Sequence, residues 1–306
     1  MTHFADCARS IRTTIIENEW IAKDTRRIRF LAPEMAASVV PGQFFMIRNP
    51  AGNDPLIGRA LALYNRSPAP QPISSQSPAP PVDHDRSPPA AAGWIDLVYL
   101  VKGKLTSSLA KLRPGSDIAV WGPLGNGFPA APVDHLVMVA GGIGQTPFLT
   151  LAQEALGNAK FGDAGNRPMG YTPQVSLCYG ARSQEYLAGL EDFERAGVEL
   201  HIATEDGSRG IHGRVTLPLE QLLQNEQRSG KSVRVVCCGP EPMMEAVAEL
   251  AARYAVPCQV SLETPMACGI GICFTCVAKV GTTADWDYKR TCVEGPVFDA
   301  AEILWH

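Results

Sequence analysis

The run "HLVMVAGGIGQTPFLTLAQEAL", residues 135–156, is apolar without a break until two glycines stop it, and it resumes with helical spacing. An apolar run with no alternation belongs to a strand buried on both faces, as in a parallel sheet covered by helices. The same change of period recurs downstream. "QVSLCYG" (174–180) precedes the helical "EYLAGLEDFERAG" (185–197), "VELHIAT" (198–204) reads as another strand, and "VRVVCCGPEPMMEAVAELAARYA" (233–255) is a further strand–helix pair. Strands alternating with helices predict a central α/β parallel-sheet nucleotide-binding domain, here over residues 131–260.

Upstream the character differs. "IRTTIIENEWI" (11–21), "TRRIRFLAP" (25–33), "QFFMIRN" (43–49), "WIDLVYLV" (94–101) and "DIAVWGP" (117–123) are short runs rich in β-branched and aromatic residues, separated by Pro and Gly turns. They predict an N-terminal antiparallel β-barrel over residues 8–130. Residues 66–93, "RSPAPQPISSQSPAPPVDHDRSPPAAAG", interrupt it with Pro, Ser and Ala, too little apolar area to offset ordering, and read as a flexible insertion in a hairpin loop.

Composition narrows the function classes. The 306 residues are 45% hydrophobic and 19% charged, with a formal net charge of −4. That balance suits a globular chain and gives no basic surface for a phosphate backbone, so nucleic acid is not an expected partner. No apolar run approaches the ~20 residues a membrane span needs, and the first residues, "MTHFADCARSIRTTIIENEW", hold no apolar export core, so the expected compartment is cytoplasmic. The cysteine count of nine is odd, which argues against a disulfide framework. Cys7, Cys178, Cys237, Cys238 and Cys258 are scattered and read as small buried hydrophobes.

The other four are not scattered. "CGIGICFTC" (268–276) packs Cys268, Cys273 and Cys276 together, and Cys292 follows, giving C-x4-C-x2-C-x15-C. This is the spacing of plant-type [2Fe–2S] ligation, with Gly269 and Gly271 letting backbone amides turn toward the sulfurs. A tetrahedral zinc site is the rival reading of four cysteines. The segment 261–306 is thus expected to form a small C-terminal cluster domain.

Gly141, Gly142 and Gly144 lie at a strand end, with Thr146 opening a helix, where backbone amides can approach a pyrophosphate. Cys238, Gly239 and Pro240 punctuate a second strand end at the same edge of the sheet, where ligands sit in open α/β folds. Glu205 and Asp206 end a third strand and would repel a 2′-phosphate, favouring NAD over NADP; Arg182 and Arg209 moderate that preference.

Taken in order, the Arg-led strand "GRALALYN", the turn "KGKLTSSL", "GPLGNGF", "GGIGQTP", "CGP" and the cysteine motif resemble the electron-transfer subunits of NAD-dependent dihydroorotate dehydrogenase, a branch of the ferredoxin reductase superfamily. The resemblance spans nearly the whole chain outside the Pro-rich insertion. It implies a barrel that binds FAD, an α/β domain that admits NAD and a [2Fe–2S] domain ligated by Cys268, Cys273, Cys276 and Cys292. It carries the flavin site onto Arg59, Ala60, Leu61 and Ala62, onto Val98, Tyr99 and Leu100, and onto Leu105 and Thr106. The family's R-P-x-S is here Arg59-Ala60-Leu61-Ala62, and its glycine before the threonine is Leu105.

The implied activity is a relay in pyrimidine biosynthesis between an FMN-containing catalytic partner subunit and NAD, with no acid–base residue of its own. Two alternatives stand beside it: a related NAD(P)H–ferredoxin or sulfur-type flavin oxidoreductase subunit, and a redox or metal-sensing module without turnover.

Overall fold

The computed structural model describes residues 8–52, 54–67, 93–162 and 167–305. The expectations for Cys7 and for positions 68–92 of the insertion lie outside them.

Six strands close into a barrel in the order β1-β2-β5-β4-β3-β6. They are β1 (Arg9–Ala22), β2 (Thr25–Leu31), β3 (Phe44–Arg48), β4 (Arg59–Ser67), β5 (Trp94–Leu100) and β6 (Asp117–Leu124), with helices α1 (Pro33–Ser38) and α2 (Lys104–Leu109) between them. All pairings are antiparallel. The interior is filled by Ile15, Ile28, Phe30, Phe45, Leu97 and Val120 among others. Burying each such side chain contributes about 1.5–3 kcal/mol before entropy is counted.

The second sheet has seven strands in the order β10-β9-β8-β7-β11-β12-β15. Its central members are β7 (His135–Gly141), β8 (Gln174–Ala181), β9 (Glu199–Thr204) and β11 (Val233–Cys238), flanked by β10 (Ile211–His212) and β12 (Cys258–Ser261). These pair in parallel. Helices α3 (Phe148–Ala155), α4 (Leu190–Arg195), α5 (Thr216–Ser229) and α6 (Glu241–Arg253) connect them. The chain winds from β7 toward β9 and then crosses back to β11, so the order reverses between β7 and β11. That switch point opens a crevice at the carboxyl ends of the strands.

One difference from the sequence expectation has a physical cause. The helix expected from Glu185 is confined to Leu190–Arg195, because Gly189 stands at φ 72° directly against the barrel. A Cβ there would lie 2.3 Å from the Tyr64 hydroxyl, which donates to Asp192 at 2.7 Å. The segment after residue 260 forms the small C-terminal unit and packs onto the edge of the sheet. It forms the hairpin β13 (Val277–Gly281) and β14 (Trp286–Arg290), then returns as β15 (Val297–Asp299), antiparallel to β12.

Among the described residues, no helix is long and apolar enough to cross a membrane. Cys178, Cys237, Cys238 and Cys258 are all buried, as their apolar settings imply.

At the opposite, amino-terminal end of the parallel strands, His135 is 1% exposed, with Nδ1 3.1 Å from Glu226 Oε1 and Nε2 2.8 Å from Ser176 Oγ. Burial holds its pKa below the ordinary value of 6.5, against the pull of Glu226. The folded state therefore keeps the ring neutral while the unfolded chain protonates it, so stability is lost as pH falls below 6.5. Thermal unfolding followed between pH 7.5 and 5.5 should show a falling midpoint, and His135→Gln should flatten that slope.

Candidate functional site

A crevice of about 630 Å³ runs between the barrel and the switch point of the sheet. The barrel contributes Arg59, Ala60, Leu61 and Ala62 from β4, Val98, Tyr99 and Leu100 from β5, and Thr106 from α2. The sheet contributes Thr146 and Cys238. Leu105 faces the other way: it is 4% exposed and packs in the barrel core, so its side chain fills the interior where the expected glycine would leave space. The Thr106 hydroxyl accepts from the Lys102 and Gly103 amides, each at 3.0 Å, and so closes the turn that precedes α2.

Gly141, Gly142, Gly144, Gly239 and Pro240 form the frame behind this wall. A Cβ on Gly144 would lie 2.2 Å from the Cys238 carbonyl oxygen, and one on Gly141 would lie 2.8 Å from Pro240 Cδ. Only glycines let the two strand-end turns interlock this closely.

Lys102, Ser261, Glu263 and Thr264 also line the crevice, beside Gly103 of the expected turn, and were not singled out by the sequence. Lys102 sits inside "KGKLTSSL"; the other three lead directly into the cysteine motif, a position that signals a site between the two. Among the described residues, Arg59 and Lys102 form no ion pair, so two cations face the crevice uncommitted. Apolar walls with unpaired cations suit a flavin or dinucleotide with its pyrophosphate. At the sheet end, burial pushes the Cys238 thiol well above its usual range, with Glu263 adding to it.

The four motif cysteines fall into two pairs. The Cys276 and Cys292 sulfurs are 3.1 Å apart and both residues are 1% exposed. Cys273 is exposed, and its thiol is lowered to about 6, first by the Thr275 hydroxyl, then by the Thr275 amide and by Cys268. Cys292 is pushed up to about 12 by burial and then by Cys276, so occupation by a cation must drive off its proton.

Backbone donors reach both pairs: the Ile270 amide points at Cys268 Sγ at 3.4 Å, and the Gly271 amide serves Cys292. Gly269 and Gly271 stand at φ 74° and 84°, and a Cβ would lie 2.7 Å from Met46 Cγ at the first and 2.6 Å from Val293 Cγ2 at the second. Among the described residues, no group of three or more Cys, His, Asp or Glu side chains is arranged to hold one metal ion. Two thiol pairs under amide donors fit two irons, one pair to each, better than a single zinc.

The thiol pairs and the crevice share one packed layer. Phe44, Met46, Leu124 and Met266 pack with Cys276 and Cys292, and Phe44 and Met266 also line the crevice. The Trp121 indole N–H donates to the Cys268 carbonyl at 2.8 Å, fastening the loop to β6.

Comparison with known proteins agrees with this division. Residues 263–304 match the model of the iron–sulfur cluster binding domain of dihydroorotate dehydrogenase B, and residues 138–249 match that of the oxidoreductase NAD-binding domain. The chain is 34% identical to the electron transfer subunit of dihydroorotate dehydrogenase B (NAD(+)) from Desulforamulus reducens, over 93% of this chain and 94% of that one. It is 34% identical to the corresponding subunit from Geobacillus kaustophilus, over 96% and 98%.

Among solved structures, an NADH-dependent reduced ferredoxin–NADP oxidoreductase studied for flavin-based electron bifurcation superposes with a TM-score of 0.71 at 26% identity, over 96% of this chain and 90% of that one. Phthalate dioxygenase reductase, at 16% identity, TM-score 0.54 and coverage of 92% and 89%, shares the fold. With relatives this similar along nearly its whole length, the chain belongs to the family of electron-transfer subunits of NAD-dependent dihydroorotate dehydrogenase B.

Proposed function

We propose that this chain is the electron relay of a two-subunit dihydroorotate dehydrogenase, carrying electrons from a separate FMN-containing catalytic subunit to NAD. The supporting observation is the shared apolar layer, in which Phe44 and Met266 both line the crevice and pack with the buried thiol pair. Cys268, Cys273, Cys276 and Cys292 would hold the [2Fe–2S] cluster, and the crevice between Arg59–Ala62, Val98–Leu100 and Thr106 would hold FAD. A bound flavin supplies the exchange between one-electron and two-electron carriers.

The chain's residues do the positioning. Arg59 and Lys102 supply charge for a pyrophosphate. The interlocked turns at Gly141–Gly144 and Cys238–Pro240 offer backbone amides to NAD at the switch point. Phe44 and Met266 pack between the two sites. Asp206 accepts from the Ser208 amide at 2.9 Å and its hydroxyl at 2.6 Å, which, the hydroxyl first, lower its pKa and keep it charged beside the expected ribose position. The cytoplasm is the setting in which free NAD and such a partner meet.

The catalytic subunit must approach the exposed Cys273. Ile270, Ile272, Phe274, Trp286 and Tyr288 are all large hydrophobics left exposed on the cluster loop and on the β13–β14 hairpin. An apolar face of this kind suits a partner rather than solvent. The ferredoxin-type reading retains one supporting observation, the 0.71 TM-score with a ferredoxin-linked oxidoreductase.

Three outcomes are expected. Anaerobically purified protein should contain iron and acid-labile sulfide; Cys292→Ala should lose both, while NADH still bleaches the flavin. Mixing with a dihydroorotate dehydrogenase catalytic subunit should yield dihydroorotate-dependent NADH formation, and Trp286→Lys/Tyr288→Lys should weaken that complex at least tenfold by calorimetry, about 1.4 kcal/mol or more; preferential reduction of a ferredoxin, with no complex formed, would favour the ferredoxin-type reading. Replacing both Glu205 and Asp206 by Ser should reduce the ratio of kcat/KM for NADH over NADPH by about tenfold or more, through loss of repulsion toward a 2′-phosphate.

A further inference from the structure

One side chain grips the cluster loop from outside. Arg290 ends β14, two positions before Cys292. Its Nη1 donates to the Gly271 carbonyl at 3.1 Å, in the middle of the loop. Its Nη2 donates to Glu294 Oε1 at 2.6 Å, while Nε lies 3.3 and 3.2 Å from the two carboxylate oxygens. The guanidinium also lies 5.3 Å from the centre of the Phe274 ring. Phe274 stands at φ 55°, left-handed backbone that a bulky residue rarely adopts, and this turns its ring toward the arginine.

Glu294 is equally constrained, since it accepts the Arg290 amide at 2.8 Å. Thr291, the next residue, donates its amide to the Cys276 carbonyl at 2.7 Å. A fixed cation, with its counter-anion on the side away from the loop carbonyl, therefore stands beside the backbone that carries the thiols.

The consequence is electrostatic. Reduction adds one electron to the cluster, taken from flavin in the relay or from dithionite in a titration, with no bond broken and no proton moved. The added negative charge is favoured by a nearby cation and opposed by a nearby anion. Arg290 bonds the loop directly, whereas Glu294 acts through Arg290, so the cation has the larger effect.

We propose that the Arg290–Glu294 pair sets the reduction potential of the cluster, Arg290 raising it and Glu294 limiting the rise. This rests on the iron–sulfur reading of Cys268, Cys273, Cys276 and Cys292.

The test is a mediator titration of the purified holoprotein, followed by the electron paramagnetic resonance signal of the reduced cluster. Arg290→Gln should lower the midpoint, Arg290→Lys should leave it near the starting value, and Glu294→Gln should raise it. Arg290→Gln should alter the reduced-to-oxidised ratio at fixed potential about tenfold, equivalent to about 59 mV for a one-electron couple, and Glu294→Gln should alter it by less in the opposite direction. The side chains of Arg290 and Glu294 are 27% and 33% exposed, so the shifts should shrink as salt is raised.

A purely mechanical clamp would move Arg290→Lys and Arg290→Gln together and give no opposite shift in Glu294→Gln; either result overturns the proposal. Should Arg290→Gln not assemble a cluster, the other two variants decide. Iron and sulfide are measured first in the unaltered protein. Their absence there would sink the iron–sulfur reading itself, whereas a full cluster with unmoved midpoints sinks only the role of this pair.

Discussion

The seat of the cysteine loop on the barrel is the contact on which the rest depends. Gly269 can lie against Met46 and Leu124 only because it has no side chain, and Trp121 fixes the neighbouring Cys268 carbonyl with its indole N–H. Those two contacts bring the buried pair Cys276 and Cys292 into the same packed layer as Phe44 and Met266. Without this seat the crevice and the thiols would be two unrelated sites. With it, Phe44 and Met266 belong both to the crevice wall and to the layer that packs on the thiols, so the two sites share side chains.

The charge distribution follows the same division. Cations stand where phosphates are expected, at Arg59 and Lys102. At the inner end of the crevice, burial pushes the Cys238 thiol above its usual range. Ser176, His135 and Glu226 resemble a nucleophile, base and acid in their spacing, yet they are buried at the far end of the strands and serve to join β7, β8 and α5. Hydrogen bonding alone does not make a reactive centre; access and a place for substrate are also needed.

Much of this was readable in the residues. The change from short β-branched and aromatic runs to continuous apolar runs alternating with helices marked the passage from barrel to parallel sheet, and the C-x4-C-x2-C spacing marked the thiol loop, because both are local patterns. What escaped depended on distant partners. Nothing near Gly189 in the sequence says that Tyr64 will press against it and delay α4. Leu105 and Thr106 are neighbours, yet one fills the barrel and the other closes a turn, a choice made by tertiary packing. Glu263 joins the crevice only because β12 ends there, and α5 is too polar along its outer face to stand out by hydrophobicity alone.

The return of β15 to the edge of the large sheet has a mechanical meaning. The segment with the thiol loop leaves from β12 and comes back to β12, tied at Gln259, Val260 and Ser261. Asn126 bridges it to the barrel as well, donating to the Val297 carbonyl at 2.8 Å and accepting its amide at 3.1 Å. A redox group on a tether can swing between donor and acceptor; one stitched at both ends to two neighbours cannot. Transfer through this chain therefore proceeds across a constant gap, its speed governed by driving force and separation rather than by the diffusion of a mobile arm.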